Sequence, residues 1–248
     1  MTGRTGRTVN EENYYIYCVA LNAPEGPLSG VTGHGGETVL GVRYKDLTAF
    51  VSRTPCTHIE VGFDSLQRHE NVITELMRDY DLMPMSFSTI CRSFEGVAGI
   101  LERYYDQFQE NFRCVAGKVE LGVKVFCRLS PDEEEQPEAS SFSSAKAFML
   151  DRYERYRKKR LREQEILSPV ESFHRELLRL ASDYRAARPM KNSLIFNASY
   201  LVSKENKMEF DRKMEEIIAG NPSYKILYSG PWPAYHFVKI VREGEENE

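Results

Sequence analysis

Apolar and polar residues alternate along several short stretches of the chain, which is the spacing of β-strands that bury one face. The clearest stretch is 118–127, where Val119, Leu121, Val123 and Val125 alternate with polar residues or glycine. Stretches rich in aromatic and β-branched residues predict further strands. We expect them at 14–21, 38–43, 47–52, 85–91, 193–202, 224–228 and 235–241. Residues 38–52 predict a hairpin, and 22–36, dense in Gly and Pro, predicts a loop.

Other stretches carry apolar residues at helical spacing. The first predicted helix begins at Asp64 or Ser65 and is ended by Pro84, and the second follows a Ser93 cap. Residues 144–188 predict two helices that meet at 168–171, because a serine cap, a proline and a glutamate three residues after the serine mark a new first turn there. A last helix is ended at Asn221.

The order of these elements predicts an α+β protein with two mixed α+β domains. We place the N-terminal domain at 14–116 and the C-terminal domain at 117–242, between a disordered tail at 1–13 and an acidic tail at 243–248. After residue 117 the predicted order is strand, helical hairpin at about 144–188, strand, helix, strand, strand. This order approximates a modified ferredoxin-like fold with a helical hairpin insertion. The acidic stretch 132–138 predicts a solvated loop.

Composition narrows the class of protein. The chain has 248 residues, of which 41% are hydrophobic and 28% charged, and its formal net charge is −4, so no global basic field attracts nucleic acid or an acidic membrane. No apolar run approaches the roughly 20 residues that span a bilayer. The five cysteines are odd in number and form no CxxC pair. These features predict a reduced, cytoplasmic protein without structural zinc and without a lipid-membrane partner.

Motifs for catalysis or cofactor binding are missing from the sequence. There is no GxSxG nucleophile elbow and no GxxxxGK[ST] phosphate loop. The run of glycines around His34 lacks a lysine and precedes a strand-like stretch, so it predicts a mobile loop. The five histidines are scattered, and His69 falls on the apolar stripe of the first helix, which favours a packing role. We therefore expect no catalytic residue, no metal site and no cofactor.

A basic run at 152–162 contains seven basic residues and two tyrosines. Such a run suits nucleic acid, which binds basic side chains and stacks on aromatic ones. Asp151 and Glu154, however, stand four residues before Arg155 and Lys158, the favourable order for ion pairs on a helix. A solvated helix face is favoured, then a protein-docking surface, then a nucleic-acid site.

The only tryptophan, Trp232, lies between Pro231 and Pro233. Two prolines fix the backbone on either side of the indole. A turn this stiff either packs its indole into a core or presents it to a partner. Packing is favoured on physical grounds, and the alternative stays open.

Three ordered motifs resemble the GvpF/GvpL family of gas vesicle proteins. SGPWPAYHFV at 229–238 resembles the family's GPWPPYxFV signature, and KVELGVKVF at 118–126 is similar to its KxEWGVKVY strand, with Leu121 where tryptophan is common. LMPMSFSTI at 82–90 resembles its PxRFGT segment, with Ser86 and Ser88 where arginine and glycine are frequent. The resemblance runs in order from about residue 14 to residue 241.

The resemblance implies a non-enzymatic accessory or minor structural protein of gas vesicles, located in the cytoplasm or on the gas-facing side of the shell. It implies two α+β domains, the second a modified ferredoxin-like fold. The expected partners are the small hydrophobic shell protein and other vesicle accessory proteins. Candidate contact residues are Trp232, Tyr235, Pro231, Pro233, Met83, Met85 and Phe87. The alternatives are a small-molecule enzyme with a cleft between domains and a basic-helix nucleic-acid binder.

Overall fold

The computed structural model describes residues 12–127, 145–187 and 193–241. Most of the predicted tails, at 1–11 and 242–248, and the predicted acidic loop at 132–138 lie outside the described residues. The chain divides into two compact units. The first unit contains the residues up to Lys118 and those from Trp232 onward, and the second spans Val119–Pro231. Both units mix helices with antiparallel strands, so the predicted α+β class is confirmed.

The first unit is built on one antiparallel sheet with the order β2-β3-β4-β1-β5, in which β6 also pairs with β1. β1 is central and almost completely buried. The predicted hairpin is confirmed, because β3 and β4 pair through a tight turn at Lys45 and Asp46. The strands are β1 (Asn13–Leu21), β2 (Gly26–Thr32), β3 (Thr38–Tyr44), β4 (Leu47–Thr54), β5 (Leu82–Pro84) and β6 (Ile90–Cys91).

Helices cover both faces of this sheet. They are α1 (Phe63–Leu76), α2 (Phe94–Arg103) and α3 (Tyr105–Val115), and a single 3₁₀ turn covers His34–Gly36. The ring of Tyr14 contacts Phe94 of α2, whereas the next residue, Tyr15, contacts His69 of α1. Successive side chains of a strand point to opposite faces, so α1 and α2 lie on opposite faces of β1. This arrangement explains why β1 is buried on both sides.

Three sequence expectations for residues 22–91 are wrong. α1 ends at Leu76, well before Pro84, because residues 82–84 pair with β1 as β5. The stretch 85–91 is not one strand: only its last two residues join the sheet, and Ser88 has a φ of 62°, outside the range of strands. The expected loop 22–36 contains β2, an edge strand, and edges tolerate the glycine and proline of that stretch.

The predicted second helix is two helices, α2 and α3, separated at Tyr104. Its predicted cap is confirmed, since the Ser93 hydroxyl accepts a hydrogen bond from the Gly96 amide at 3.0 Å. The last predicted strand, at 235–241, is wrong. Those residues form a turn followed by an extended segment whose backbone bonds to side chains of α3.

The second unit holds a four-stranded sheet with the order β10-β7-β9-β8, in which β8 and β9 are antiparallel. α4 packs on α5 and on β9, and α5 also packs on β9. In chain order the elements are strand, helix, strand, strand, helix, strand. They are β7 (Lys118–Cys127), α4 (Ala145–Leu178), β8 (Asp183–Ala186), β9 (Leu194–Ser203), α5 (Lys207–Gly220) and β10 (Tyr224–Trp232).

The predicted helical hairpin at 144–188 is wrong. α4 is one helix of 34 residues that runs through Pro169. A proline inside a helix costs about 3 kcal/mol, and burial of Val170, Phe173 and Leu177 in the turns that follow it offsets this cost. Beyond α4 the chain turns back and pairs with β9 as β8, where a second helix was expected.

Candidate functional site

The predicted contact residues near Trp232 lie in different environments. Trp232 is the last residue of β10, not the centre of a separate turn, and it is half-buried. The peptide bond between Gly230 and Pro231 is cis, and Pro231 is exposed. Tyr235 is 42% exposed. Pro233 is buried, which removes it from the candidate contacts because a buried ring is not accessible to a partner.

The other predicted contact residues, Met83, Met85 and Phe87, also differ in their exposure. Met83 lies on β5 opposite Val19 and is only 2% exposed, so its side chain is not accessible to a partner in this fold. It packs as a core residue. Met85 and Phe87 are half-buried. They belong to residues 85–89, here called the 85–89 segment, which connects β5 to β6.

Beneath the 85–89 segment lies a group of aromatic and histidine rings, here called the Tyr–His cluster. Its members are Tyr15, Tyr17, His34, His69 and Phe87. The ring centroid of Tyr15 lies 4.4 Å from that of His34 and 5.6 Å from that of His69. Phe87 meets the rings of Tyr15, His34 and His69 edge to face at 5.8–6.2 Å. Phe87 is therefore the residue of the segment that covers the cluster.

Hydrogen bonds fix the orientation of the two tyrosines. The hydroxyl of Tyr15 lies 2.8 Å from Nδ1 of His69 and accepts a hydrogen bond from the Ser88 amide at 3.1 Å. The hydroxyl of Tyr17 accepts from the His34 amide at 2.7 Å and lies 2.8 Å from Oγ of Ser52. Each buried hydroxyl thus has two partners, as buried polar groups require.

The same network holds the 85–89 segment on the sheet. The Met85 amide donates to the Tyr17 carbonyl at 2.9 Å, and the Ile16 amide donates to the Thr89 carbonyl at 2.8 Å. The segment is therefore attached at both ends by backbone bonds and in its middle by the Tyr15 hydroxyl.

The Tyr–His cluster is electrically neutral near pH 7. Burial, and then the neighbouring His34, lower the pKa of His69 to about 4. Burial and the guanidinium of Arg68 lower the pKa of His34. Burial raises the pKa of the Tyr15 phenol. Among the described residues Nε2 of His34 is the one buried side-chain nitrogen or oxygen without a hydrogen-bond partner.

The cluster does not resemble a metal or hydrolytic centre. In the described part of the chain no group of His, Cys, Asp and Glu is arranged to hold a metal ion. His58, which the enzyme alternative would use, lies 3.2 Å from the Ser88 hydroxyl, and the nearby Glu60 is exposed. The geometry suits packing and positioning of the 85–89 segment.

A second, more exposed surface lies on the N-terminal half of α4. Met149, Tyr153 and Tyr156 follow one another at helical spacing and are 60–71% exposed. Arg155 pairs with Asp151, and the Arg160 guanidinium lies 5.9 Å from the centre of the Tyr156 ring. The basic run is thus interrupted by Tyr153 and Tyr156, whose large side chains are exposed to solvent.

A shallow groove of about 340 Å³ lies between α4 and α5 in the second unit. Lys213 lines it and pairs with Glu216 at 2.7 Å and with Glu176 at 3.4 Å. These are exposed ion pairs on two neighbouring helices, and water screens the attraction between such charges. The groove holds no cluster of histidines or nucleophiles.

Sequence reasoning missed most of the cluster. His34 was assigned to a mobile loop, yet it is 7% exposed and its amide is bonded to Tyr17. The packing role expected for His69 is confirmed, because its side chain is buried among the rings. The available signal was the pair Tyr15 and Tyr17, two large aromatics on one face of a strand. Their partners come from distant parts of the chain, which no local pattern indicates.

Within the described residues no helix is long and apolar enough to cross a membrane. Comparison with known proteins identifies relatives over nearly the whole chain. Gas vesicle protein F1 of Halobacterium salinarum is 28% identical over 241 residues, covering 96% of this chain and 98% of the relative. Gas vesicle protein L of a Streptomyces species is 27% identical over 251 residues, covering 92% and 94%.

Solved structures show the same fold. The crystal structure of GvpF from Anabaena sp. PCC7120 superposes with a TM-score of 0.76 at 23% identity and covers 95% of this chain and all of that one. The structure of GvpF from Microcystis aeruginosa gives a TM-score of 0.72 at 20% identity, with 92% and 99% covered. Residues 13–239 match the family described as gas vesicle synthesis protein GvpL/GvpF. The chain belongs to the GvpL/GvpF family of gas vesicle proteins, which assigns it a role in gas vesicle formation.

Proposed function

We propose that this protein supports gas vesicle assembly by binding the small hydrophobic shell protein and other vesicle proteins. Its place would be in the cytoplasm at the growing vesicle, on the gas-facing side or on assembly intermediates. A shell protein that has not yet assembled exposes apolar surface. A binding partner for it needs exposed apolar side chains on a fixed backbone, surrounded by polar groups.

One observation carries this proposal: two large apolar side chains stand exposed beside the 85–89 segment. Val61 is 73% and Phe63 is 79% exposed. The chain there is fixed, because the Ile59 amide donates to the Ser88 hydroxyl at 2.9 Å and Ser65 bonds to Gly62. Exposed hydrophobic residues on such an ordered backbone are typical of interaction sites.

The contact surface we propose joins these two residues to the remaining candidates of the 85–89 segment. Val61 and Phe63 would contribute the exposed apolar area, and Met85 and Phe87 the half-buried edge next to it. Met85 suits a variable apolar partner, because its side chain is flexible and polarisable. Exposed polar groups at His58, Glu60 and Asp64 would form the rim.

Trp232 and Tyr235 remain candidates for a second contact in the same unit, and Pro231 remains a separate candidate in the second unit. Tyr235 is 42% exposed, and Trp232 is half-buried. Tyrosine and tryptophan supply large contact areas with few rotatable bonds, so they are frequent anchors at interfaces. Their role is independent of the Val61–Phe63 surface and is tested by separate variants.

The exposed side of α4 is the proposed surface for other vesicle proteins. Its apolar residues Met149, Tyr153 and Tyr156 favour a protein partner over nucleic acid, and its basic side chains favour an acidic one. The nucleic-acid alternative makes a distinct prediction. Retention on heparin would fall steeply with salt and would be lost when Arg157, Lys158 and Arg160 are changed to glutamine.

We also infer a structural rather than catalytic role, and a ferredoxin-like second domain. The names of the relatives support the first inference. The second is supported by the element order strand, helix, strand, strand, helix, strand and by the sheet order β10-β7-β9-β8. The enzyme alternative requires a closed pocket with convergent titrating groups around His58 and Glu60.

Co-expression with the shell protein followed by affinity capture tests the proposal. We expect the natural chain to capture the shell protein and the double variant Val61→Ser and Phe63→Ser to lose most of that capture. Leu227→Ser is the matched control, because Leu227 is also exposed, at 45%, but lies on β10 of the other unit. If the double variant captures as much shell protein as the control, this surface is not the binding site. If the natural, folded chain captures no vesicle protein, the binding function itself is wrong.

A further inference from the structure

The Tyr15 hydroxyl, which holds the middle of the 85–89 segment, makes a second hydrogen bond whose direction depends on protonation. Nδ1 of His69 lies 2.8 Å from the Tyr15 hydroxyl. The Tyr15 oxygen already accepts from the Ser88 amide, and Nδ1 of His69 is its other hydrogen-bond partner among the described residues, so the hydroxyl proton points to Nδ1. A neutral imidazole carries one donor and one acceptor nitrogen. Nδ1 is therefore the acceptor, and the Tyr15 hydroxyl donates its proton to it.

This assignment gives two donors in series. The Ser88 amide donates to the Tyr15 oxygen at 3.1 Å, and the Tyr15 hydroxyl donates to His69. The series links the middle of the 85–89 segment to α1 through Tyr15 of β1.

We propose that the Tyr15–His69 pair is an acid-sensitive latch, which holds the middle of the 85–89 segment, at Ser88, on the first sheet while His69 is neutral and releases it when His69 takes up a proton. A protonated Nδ1 becomes a donor, so the Tyr15 oxygen would have to accept from both His69 and Ser88. The Tyr15 proton would then lose its acceptor, Nδ1 of His69. An unsatisfied buried hydroxyl is costly, and releasing the segment exposes it to water.

The surroundings of His69 do not compensate a positive charge. The groups that face the cluster are Tyr15 and Tyr17 of β1, Ser52 of β4, His34 of the 3₁₀ turn, Arg68 of α1, Phe87 and Ser88 of the segment, with His58 behind Ser88, and Tyr235 beside Tyr15. Arg68 is positive, and His34 is a second base that would become positive. No carboxylate is among these groups.

Burial and His34 lower the pKa of His69 from 6.5 to about 4 in the attached state. In the released state the ring is solvated and its pKa returns to about 6.5. The released population therefore rises about tenfold for each pH unit below 6.5 until the pH approaches 4, and the total rise reaches about 300-fold well below pH 4. Above pH 7 the latch is closed.

The consequence for binding rests on the proposed function, because the segment carries Met85 and Phe87. Release would also uncover the rings of Tyr15 and His34, which Phe87 contacts edge to face. The apolar surface next to Val61 and Phe63 would then grow at acid pH. The latch itself is a property of the free chain and is tested without any partner.

Amide hydrogen exchange of the free protein tests the latch. We expect the protection of the Ser88 amide, corrected for the intrinsic pH dependence of exchange, to fall at least tenfold between pH 7.5 and pH 5. The amide of Val51, in the middle of β4, is the internal reference and keeps its protection. Equal protection of Ser88 at the two pH values overturns the proposal.

Two matched variants assign the effect. His69→Gln retains one acceptor and one donor but cannot titrate, so its Ser88 amide should stay protected at pH 5. His58→Gln, which changes the ring beside the Ser88 hydroxyl, should keep the pH dependence. The opposite pattern overturns the latch. If His69→Gln does not fold, an NMR titration of His69 in the natural chain replaces it, and Ser88 protection must follow the His69 midpoint.

Discussion

The side-chain amide of Asn111 pairs with both backbone groups of Lys239, in the way that a neighbouring strand would. Its Nδ2 donates to the Lys239 carbonyl, and its Oδ1 accepts from the Lys239 amide, each at 2.9 Å. Gln107, one helical turn earlier on α3, makes the equivalent pair with Val241 at 2.8 and 3.1 Å. Two side chains therefore replace a strand for residues 239–241.

Replacing Asn111 with Asp should loosen this segment. The carboxylate cannot donate to the Lys239 carbonyl, so one of the two bonds is lost, and a typical net loss is about 1 kcal/mol. We expect faster hydrogen exchange at Lys239 and Val241 with little change in melting temperature. Asn221→Asp, at the end of α5 in the other unit, should leave both amides unchanged. Unaltered exchange at Lys239 in Asn111→Asp contradicts the pairing.

Two glycines should respond in opposite directions to alanine. A Cβ on Gly41 of β3 would overlap the carbonyl oxygen of Pro24, a backbone atom. Such overpacking costs about 1–3 kcal/mol, so Gly41→Ala should lower the free energy of unfolding. Gly99 of α2 faces open space, and Gly99→Ala should raise that energy by about 0.5–1 kcal/mol through helix propensity.

Urea unfolding, followed by circular dichroism, measures both changes. Gly99→Ala, on α2, also serves as the control for any general effect of adding a methyl group. Equal stabilities for the two variants would contradict the close approach of β3 to residue 24.

Acid should begin to destabilise the chain at pH values well above the range in which carboxylates titrate. Burial lowers the pKa of His34, His69 and His174 in the folded chain. The unfolded chain therefore binds more protons than the folded one below pH 6.5, and stability is complete above that pH and decreases as the pH falls. The decrease is at most about 1.4 kcal/mol per pH unit for each such histidine.

Urea titrations at pH 7.5 and pH 5.5 measure this slope. His69→Gln should reduce the slope of stability with pH by the contribution of one histidine. A slope that is flat between these values, or one that His69→Gln leaves unchanged, would contradict a neutral buried His69.

Met83 and Tyr235 are both expected as contacts from the sequence. Their alanine substitutions should differ in their effects on stability and on capture of the shell protein. Met83 is 2% exposed, and its truncation to alanine should cost about 2–5 kcal/mol of stability. Tyr235 is 42% exposed, so Tyr235→Ala should change stability far less and act on shell-protein capture. Thermal melts and affinity capture on the same preparations distinguish the two. A large loss of stability in Tyr235→Ala would assign it to packing instead.

The mixed α+β class could be read from the sequence because each signal is local. The alternation at 118–127 predicts β7, and the Ser93 cap predicts the start of α2. The Pro169 break, also local, was wrong, since Val170, Phe173 and Leu177 pack in one continuous helix. Tertiary burial there outweighs the unfavourable local geometry.

The candidate site was less accessible to sequence reasoning. Exposure divides the predicted contacts, so that Tyr235 and Pro231 remain candidates while Met83 and Pro233 are buried. Both groups are apolar, and the sequence contains no signal that separates them. The Val61–Phe63 surface was missed because exposed apolar residues before a helix look like the start of a buried stripe.

By itself the sequence determined the strands and helices with strong periodicity, the lack of catalytic motifs and, through three ordered motifs, the family. Only the tertiary structure decided that Tyr15, His34, His69 and Ser88 meet, since they lie up to 73 residues apart. Local patterns record which face of an element is apolar. They do not record which distant donor satisfies a buried hydroxyl, because that choice is made when the sheet and its helices pack together.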